Sequence, residues 1–204
     1  MPRSRWVSRG PHRTRTAGQC LANRLNAGSL FRAAVACALA MAPAQARAEV
    51  KDATAQGFTT ENAEVVPVTP SAAWRALVRD VDAWWPRDHT WWKGSALSID
   101  ARAGGCFCEI DGVRQARHLE VVFVDPDKTL RLSGGLGPLQ GMGLNGVVEF
   151  RLTPADGGGT RIVLFLRAGG YTPDDLRTLA PVVDRVNRQQ LAALADYLKR
   201  TAAK

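Results

Sequence analysis

The last stretch of the chain spaces its apolar positions with the period of an α-helix. Between Pro181 and Arg200, at about 100° per residue, the apolar residues form one stripe, made of Val183, Val186, Leu191, Leu194, Tyr197 and Leu198. The pattern predicts one long amphipathic helix at the C-terminus. Two amides, Asn187 and Gln190, interrupt its stripe. A buried amide without a partner costs about 1–3 kcal/mol, so these two either satisfy the backbone of a facing sheet or face a cavity that holds water or a ligand.

Two prolines precede or open this helix. Thr172 and Pro173 predict the start of a short helix. Pro181 cannot donate a backbone N–H and clashes with the preceding turn. We therefore predict that Pro181 re-initiates or kinks the long helix, so that the segment 172–180 can lie at an angle and border the entrance of any cavity.

Upstream, between residues 95 and 167, the period changes to two, and turn residues separate the apolar runs. Asp111-Gly112 is the strongest hairpin signal among the separators. Because the connections are short, the sheet is predicted to be antiparallel. The predicted strands, including one before this region, are Phe58–Val68, Ala96–Ala101, Cys106–Ile110, Val113–Val124, Thr129–Ser133, Leu144–Leu152 and Arg161–Arg167.

A helix and an aromatic stretch lie between the first two strands. Thr69 as N-cap and Pro70 at the first position predict a helix over Ser71–Val81. A short helix and then a loop are predicted to follow, because Pro86 stops regular helix. Four of the chain's six tryptophans fall here: Trp84, Trp85, Trp91 and Trp92. They either plug the end of the core or stand at the mouth of a cavity and stack on a flat ligand.

Charge is distributed unevenly along the chain. The formal charge is +8, but residues 1–48 contain eight arginines and no acidic residue. These eight of the 27 basic residues leave 19 from Glu49 onward, against 19 acidic residues. The later part is therefore neutral and has no basic run, which argues against nucleic acid as a partner.

Residues 1–48 are typical of a cleaved targeting segment. A basic start precedes the apolar run Ala33–Met41, which is too short to span a bilayer. Two small-x-small sites follow, at residues 44–46 and 46–48. We expect a periplasmic or secreted protein, with a linker over 49–57 and one domain over 58–200. An organelle address, or a start codon further along, remains the alternative.

The cysteines and histidines of the mature part offer few metal ligands. Cys106 and Cys108 lie on one predicted strand, about 6.6 Å apart along the chain. A disulfide needs closer Cβ atoms, so we predict buried free thiols. Zinc ligation is not expected because Cys-x-x-Cys spacing is absent, and no cofactor is predicted. His89 and His118 are candidates for acid-base chemistry, or for capping and surface roles.

Glu109 shares a face of its strand with Phe107. If this face points inward, desolvation would raise the pKa of the Glu109 carboxyl, which could act as an acid or a ligand anchor. Arg117 on the next strand could pair with it if the registers agree. If the cysteines point inward instead, Glu109 is solvated.

The segment Gly141–Gly146 matches the G-x-G-x-x-G pattern. A dinucleotide site needs a helix after such a loop, but here a strand is predicted. We therefore interpret residues 134–143 as a flexible loop, with a possible role as a gate over the cavity.

Several motifs, in this order, resemble the START-like (SRPBCC) superfamily, in its polyketide cyclase and chaperone-ATPase-activator branch. The resemblance covers about residues 58–199 and rests on Val68–Leu77, Trp84-Trp85-Pro86, Gly104–Glu109, Leu136–Gln140, Gly158–Arg161 and Tyr171–Leu198. It implies an α+β helix-grip fold: a curved antiparallel sheet wrapped around a long C-terminal helix, with an apolar cavity between. By analogy, the aromatic residue after Gly104-Gly105 points inward, which favours an inward Phe107 and Glu109.

Our leading functional hypothesis is binding or carriage of a small hydrophobic molecule in that cavity. The predicted ligand-binding residues are Trp84, Trp85, Trp91, Trp92, Phe107, Glu109, Arg117, Asn187 and Gln190. The first alternative is a cyclase or aromatase, in which His89 or Glu109 moves protons on a substrate. The second is a module that binds a protein partner through the outer sheet face, which would require an exposed apolar patch.

Overall fold

The computed structural model describes residues 49–203 as one antiparallel sheet with helices against it. The predicted targeting segment lies outside the described residues. The strands are β1 (Glu49–Ala53), β2 (Gly57–Val66), β3 (Ala96–Ile99), β4 (Cys106–Asp111), β5 (Arg114–Asp125), β6 (Thr129–Gly134), β7 (Asn145–Pro154) and β8 (Thr160–Gly169). The helices are α1 (Pro70–Arg79), α2 (Val81–Trp84), α3 (Pro138–Gly141) and α4 (Leu176–Ala202), with 3₁₀ turns at Arg87–His89 and Asp156–Gly158.

The sheet order is β1-β2-β8-β7-β6-β5-β4-β3, and every neighbouring pair is antiparallel. The sheet is curved, and the predicted helix-grip fold is confirmed. Each of the seven predicted strands exists within about two residues of its expected bounds. A strand also follows Gly141–Gly146, as predicted, so that segment has the wrong context for a dinucleotide site.

The core lies between the inner face of the sheet and helices α1 and α4. Alternate residues of the central strands point into it, and burying each such side chain contributes about 1.5–3 kcal/mol. The buried apolar side chains include Leu130, Leu132, Val148, Phe150, Ile162 and Leu164 from the sheet and Leu77, Leu191, Leu194 and Leu198 from the helices. No helix among residues 49–203 is both long and apolar enough to cross a membrane.

The start of α1 is as predicted, because the Thr69 hydroxyl accepts a hydrogen bond from the backbone N–H of Ala72 at 3.3 Å. The start of α4 is not. The predicted re-initiation at Pro181 is wrong, since α4 begins at Leu176 and continues through Pro181. Asp175 caps its N-terminus by accepting from the backbone N–H of Arg177 at 2.9 Å. Pro181 has no backbone N–H to donate to the Arg177 carbonyl. Both residues are exposed, so water can hydrate this carbonyl.

The predicted linker is wrong in part, because Glu49–Ala53 forms the edge strand β1 and pairs with β2. Its turn is held by Thr54, whose hydroxyl donates to the Gly57 carbonyl at 3.1 Å. Five residues of mixed charge show no alternation that would indicate a strand. The pairing with β2 is what holds this segment in place.

The outer face of the sheet is charged. Glu149 bridges Arg131 and Arg151, and the Arg151 and Arg167 guanidinium groups lie 4.9 and 5.5 Å from the centre of the Phe165 ring. Burial raises the pKa of Glu149, but hydrogen bonds from the two arginines outweigh it and hold this pKa below its ordinary value. Around Glu149 and Phe165 the outer face therefore carries paired charges and arginines stacked on an aromatic ring.

The prediction for the cysteines is also wrong. Cys106 and Cys108 form a disulfide with a Cα–Cα distance of 5.4 Å. The strand is shorter here than the extended geometry assumed from the sequence, and 5.4 Å lies within the usual disulfide range. Both residues are half-buried on the outer face, while Phe107 and Glu109 are buried on the inner one. The inward orientation of Phe107 and Glu109 is thereby confirmed.

Replacing Cys106 and Cys108 together by serine should lower the free energy of unfolding by only about 1–2 kcal/mol, because a ring of so few residues restricts the unfolded chain little. Urea unfolding measures this change. Wild-type protein in excess reductant is the control and should match the double variant. A loss above about 4 kcal/mol would contradict a minor structural role.

Candidate functional site

A cavity of about 370 Å³ lies at one end of the core. Its walls come from the N-terminal half of α4, the loop around α3 and the segment between Trp85 and Trp91. The lining is mostly apolar, and it contains no lysine or arginine. It consists of Trp85, Asp88, His89, Thr90, Trp91, His118, Leu136, Gly137, Pro138, Leu139, Met142, Leu166, Leu179, Val182, Val183, Val186, Asn187 and Gln190.

Beneath the middle of α4 the core is closed. The remaining void there is about 10 Å³, bounded by Trp84, Trp85, Phe107 and Gln190 among others. Such a space holds about one water molecule. Under α4, space for an organic ligand therefore lies beside the N-terminal half of the helix, near Val183 and Val186. It does not extend along the whole helix.

The loop predicted as a flexible gate forms this end wall and includes the short helix α3. Pro138 starts α3, and Leu139 is buried against the core. Gly135 allows the chain to fold back on itself, because a Cβ there would lie 2.6 Å from the Gln140 Cα and 2.6 Å from the Leu144 carbonyl oxygen. The close approach requires glycine at this position.

Glu109 is fully buried, and four donors surround its carboxylate. Oε1 accepts from the Ser95 hydroxyl at 2.6 Å and from the Trp92 N–H at 3.0 Å. Oε2 accepts from the Trp91 N–H at 3.1 Å and lies 2.9 Å from His118 Nε2. The carboxylate therefore fixes the loop before β3 against β4 and β5.

These hydrogen bonds reverse the pKa shift expected from the sequence. Burial raises the pKa of Glu109, as predicted, but the donors from Ser95, Trp91, Trp92 and His118 stabilise the charged form more strongly. The net result is a pKa below the ordinary value. Glu109 is ionised at neutral pH and, as a carboxylate, can only accept hydrogen bonds.

His118 reaches Glu109 because of a β-bulge. Phe107 pairs with Leu119, but Cys108 pairs with Arg117, so His118 is the extra residue of β5. The bulge turns His118 inward beside Leu119, and both are buried. Bulges commonly redirect a side chain in this way.

The same bulge explains why the predicted pairing of Arg117 with Glu109 is wrong. Arg117 points outward, is exposed, and pairs with Glu120 at 3.1 Å. It borders a second, more polar hollow of about 300 Å³, which His118 also borders. Strict alternation along β5 cannot anticipate an inserted residue.

The four tryptophans of the aromatic stretch separate into two roles. Trp85 and Trp91 line the cavity, and Trp91 is 47% exposed at its rim. Trp84 is buried and donates its indole N–H to the Ala76 carbonyl at 3.1 Å, which makes it part of the core. Trp92 lies away from the cavity, with the Arg114 guanidinium 5.5 Å from its ring centre. Phe107 is likewise a core residue, packed edge-on to Trp85 at 4.9 Å between ring centres.

Both amides of α4 line the cavity, which is the second of the two alternatives that the sequence left open. Asn187 donates to the Thr60 hydroxyl of β2 at 3.0 Å and also lines the cavity. Gln190 lines the cavity, and its Oε1 is buried without a hydrogen-bond partner. A third buried polar residue of this helix, Asp184, was not predicted; it accepts from the Asn62 amide at 3.0 Å.

His89 lines the cavity as well. Its backbone carbonyl accepts from the Trp85 indole N–H at 3.3 Å, and its Nδ1 is buried without a partner. His89 and Glu109 do not converge as the cyclase alternative requires, because Glu109 is not among the cavity-lining residues. His118 occupies that place instead.

Sequence reasoning missed Ser95, Asp184 and the contact of His118 with Glu109, although His118 was a candidate for acid-base chemistry. A histidine between alternating residues gives no sign of a bulge, and Asp184 sits at a helix position that could equally be solvated. No cluster of three or more potential metal ligands occurs within residues 49–203.

Comparisons with known proteins show the fold. No family model and no curated protein matches the chain. Among solved structures, it is similar to the Mll3558 protein from Rhizobium loti (22% identity, 69% of this chain and 96% of that chain, TM-score 0.52). It is also similar to CalU16 from Micromonospora echinospora (15%, 76% and 84%, TM-score 0.52) and to Ara h 8.0201 (17%, 70% and 97%, TM-score 0.50). At these identities the likeness shows the fold alone.

Replacing Glu109 by glutamine should lower the free energy of unfolding at neutral pH by about 2–3 kcal/mol, because buried donors then face an amide N–H₂. The native pKa of Glu109 is lowered, so its contribution is present above the unfolded pKa of about 4.3 and is lost as pH falls through the native pKa. Urea unfolding at several pH values should show the difference between wild type and variant shrinking below about pH 4.

The matched control is Glu120→Gln, which alters a half-exposed carboxylate on β5. Its effect should stay below about 1 kcal/mol at neutral pH, as for other surface ion pairs. A gap for Glu109→Gln that widens on acidification would show that the carboxylate is not stabilised in its charged form.

Proposed function

We propose that this protein binds a small, mainly apolar molecule in the cavity at the N-terminal half of α4. The observation that carries the proposal is the cavity itself: about 370 Å³, walled by apolar side chains. Small-molecule sites usually occupy about 300–1,000 Å³ and combine apolar walls with a few polar groups. The fold supports the proposal, because a helix-grip sheet leaves such space beside its long helix.

The walls would supply affinity through contacts with Val183, Val186 and Leu179, and Trp85 or Trp91 would stack on a flat ligand. Asn187 and Gln190 would orient its polar end. Glu109 has a supporting part in this proposal, because it holds Trp91 and His118 in position rather than contacting the ligand. The proposed site does not include Trp84, Trp92, Phe107 or Arg117.

An enzyme using the same cavity would need His118 in the role that the sequence suggested for Glu109. The buried Glu109 carboxylate holds the His118 imidazole at the wall, and Glu109 itself does not line the cavity. We therefore propose binding or carriage rather than cyclase chemistry.

Replacing Val186 by phenylalanine should fill part of the cavity and weaken binding of the neutral fluorescent probe N-phenylnaphthylamine by about tenfold, since the larger ring occupies ligand space. Fluorescence titration measures the affinity. The matched control is Val113→Phe, at a position that is 97% exposed in the β4–β5 turn. This variant should bind the probe like wild type.

Native mass spectrometry of protein from its own host tests for a carried ligand. Absence of both probe binding and a carried ligand would contradict the proposal.

We also propose that the protein is exported from the cytoplasm. The Arg-rich, acid-free leader and its two small-x-small sites support this. The Cys106–Cys108 disulfide is compatible with it, because disulfides persist in oxidising compartments.

Intact-mass analysis of protein made in its host should find a mature N-terminus at Arg47 or Glu49, directly after one of the two sites. Replacing both Ala46 and Ala48 by leucine should block this processing, since the cleavage site needs small residues. Full-length protein in the cytoplasm of the wild-type strain would contradict export.

A further inference from the structure

The Cys106–Cys108 disulfide lies outside the proposed binding site. Neither cysteine lines the cavity, and both are half-buried on the outer face of the sheet. Only Phe107 separates them, and closing so small a ring restricts the unfolded chain little. The disulfide therefore stabilises the fold little, and by the same linkage the fold does little to protect the disulfide from reduction. Accessible disulfides of this kind are the labile or catalytic ones.

Strand β4 is held in the sheet by contacts that do not involve the two sulfur atoms. It pairs with β3 on one side and with β5 on the other. On the inner face, Phe107 is buried beside Trp85, and Glu109 is hydrogen-bonded to the loop before β3. Reduction of the disulfide breaks none of these contacts. The protein can therefore pass between a disulfide form and a dithiol form without unfolding β4.

The bulge of β5 places two charged residues opposite the two cysteines. Cys108 pairs with Arg117, and Cys106 pairs with Glu120. Both charged side chains point outward, where they contact each other at 3.1 Å. Residues directly opposite in an antiparallel pair have Cβ atoms about 4.5–5.5 Å apart. Arg117 therefore lies beside Cys108, and Glu120 lies beside Cys106.

These charges make the two sulfur atoms unequal. A guanidinium beside a cysteine stabilises its thiolate, and a carboxylate beside a cysteine disfavours it. Cys108 is therefore the better leaving group when the disulfide opens, because a more stable thiolate leaves faster. An incoming thiolate accordingly attacks Cys106. Solvent screens exposed charges, and Arg117 and Glu120 partly neutralise each other, so the effect on rates is small.

We propose that Cys106 and Cys108 are a redox-active pair, and that their disulfide oxidises dithiols. A thiolate of the dithiol attacks Cys106 Sγ, the S–S bond breaks, and its electron pair leaves with Cys108 as a thiolate. The second thiol of the dithiol then attacks the mixed disulfide and releases Cys106. The dithiol becomes a disulfide, and Cys106 and Cys108 take up the two electrons and two protons that it loses.

Reduction of the oxidised protein by two probes tests this activity. The protein purified from its host is mixed with one equivalent of dithiothreitol or of a short synthetic peptide with two cysteines. The reaction is quenched in acid, and free thiols are alkylated and counted by mass spectrometry. Each probe should reduce the protein at least about tenfold faster than it reduces glutathione disulfide at the same concentration. The double variant with Cys106→Ser and Cys108→Ser measures any background from Cys20 and Cys37.

A monothiol shows which sulfur atom is attacked. With one equivalent of glutathione, the mixed disulfide should form mainly on Cys106, and fragmentation of the peptide that contains both cysteines locates it. Arg117→Gln should slow reduction by dithiothreitol about threefold, because Cys108 then leaves less readily, and Glu120→Gln should not slow it. The matched control is Arg161→Gln, at an exposed arginine of β8, which should react like wild type.

The outcomes separate the activity from its details. Reduction by both probes at no more than the rate of glutathione disulfide overturns the proposal and leaves a structural disulfide. Glutathione mainly on Cys108, or an Arg117→Gln variant as fast as wild type, overturns the assigned direction of attack. A clear preference for the peptide supports polypeptide thiols as the source of the dithiol, and a preference for dithiothreitol supports a small molecule. Since neither cysteine lines the cavity, none of these results bears on ligand binding there.

Discussion

The burial of one carboxylate organises the open end of this fold. Glu109 carries its charge into a place without solvent access, and an unpaired charge there would be very unfavourable. Its four donors come from the backbone at Trp91 and Trp92, from Ser95, and from His118. The Glu109 carboxylate therefore holds two loop peptides, a serine and a strand bulge in place. Because Trp91 and His118 are among the groups that hydrogen-bond this carboxylate, the charge also holds the part of the cavity wall that they form.

The C-terminal half of α4 packs in a closed core, and its N-terminal half borders the cavity. Leu191, Leu194 and Leu198 are almost fully buried in a closed core, where apolar packing leaves room for about one water. One turn earlier, Gln190 and Asn187 replace apolar residues and mark where packing stops. The polar residues of the stripe therefore occupy the segment in which apolar packing gives way to a hydrogen bond with β2 and to the cavity.

The fold could be predicted from the sequence because its signals are local and repeated. Alternation, turn residues and the Thr69-Pro70 cap located seven strands and the first helix, and the family resemblance supplied their arrangement. The candidate site was predicted less well. Periodicity gives the face of a residue only while the period holds, and the bulge at His118 breaks it. The inward Glu109 was anticipated by analogy, but the partners that lower its pKa come from segments distant in sequence.

Tertiary context also decided the remaining differences. Trp84 and Trp85 are adjacent and equally apolar, but only Trp85 reaches the cavity. Pro181 was expected to re-initiate or kink the helix, which begins earlier, at Leu176 after the Asp175 cap. Cys106 and Cys108 were judged on ideal strand geometry, which the strand does not keep. In each case the local rule was correct in general, and a neighbouring element changed its outcome.

The polar pairs between α4 and β2 have a consequence for alignment. Apolar contacts are non-directional, so they specify the position of a helix along a sheet less strictly than paired hydrogen bonds do. Asp184 meets Asn62, and Asn187 meets Thr60. A slide by one turn, about 5.4 Å, would break both pairs at once and leave buried polar atoms unmatched. These two hydrogen-bonded pairs fix the position of α4 along β2. They therefore set how far the helix extends over the loop beyond the core. The hydrogen-bonded position of this helix along the sheet is therefore one determinant of the space at its N-terminal half.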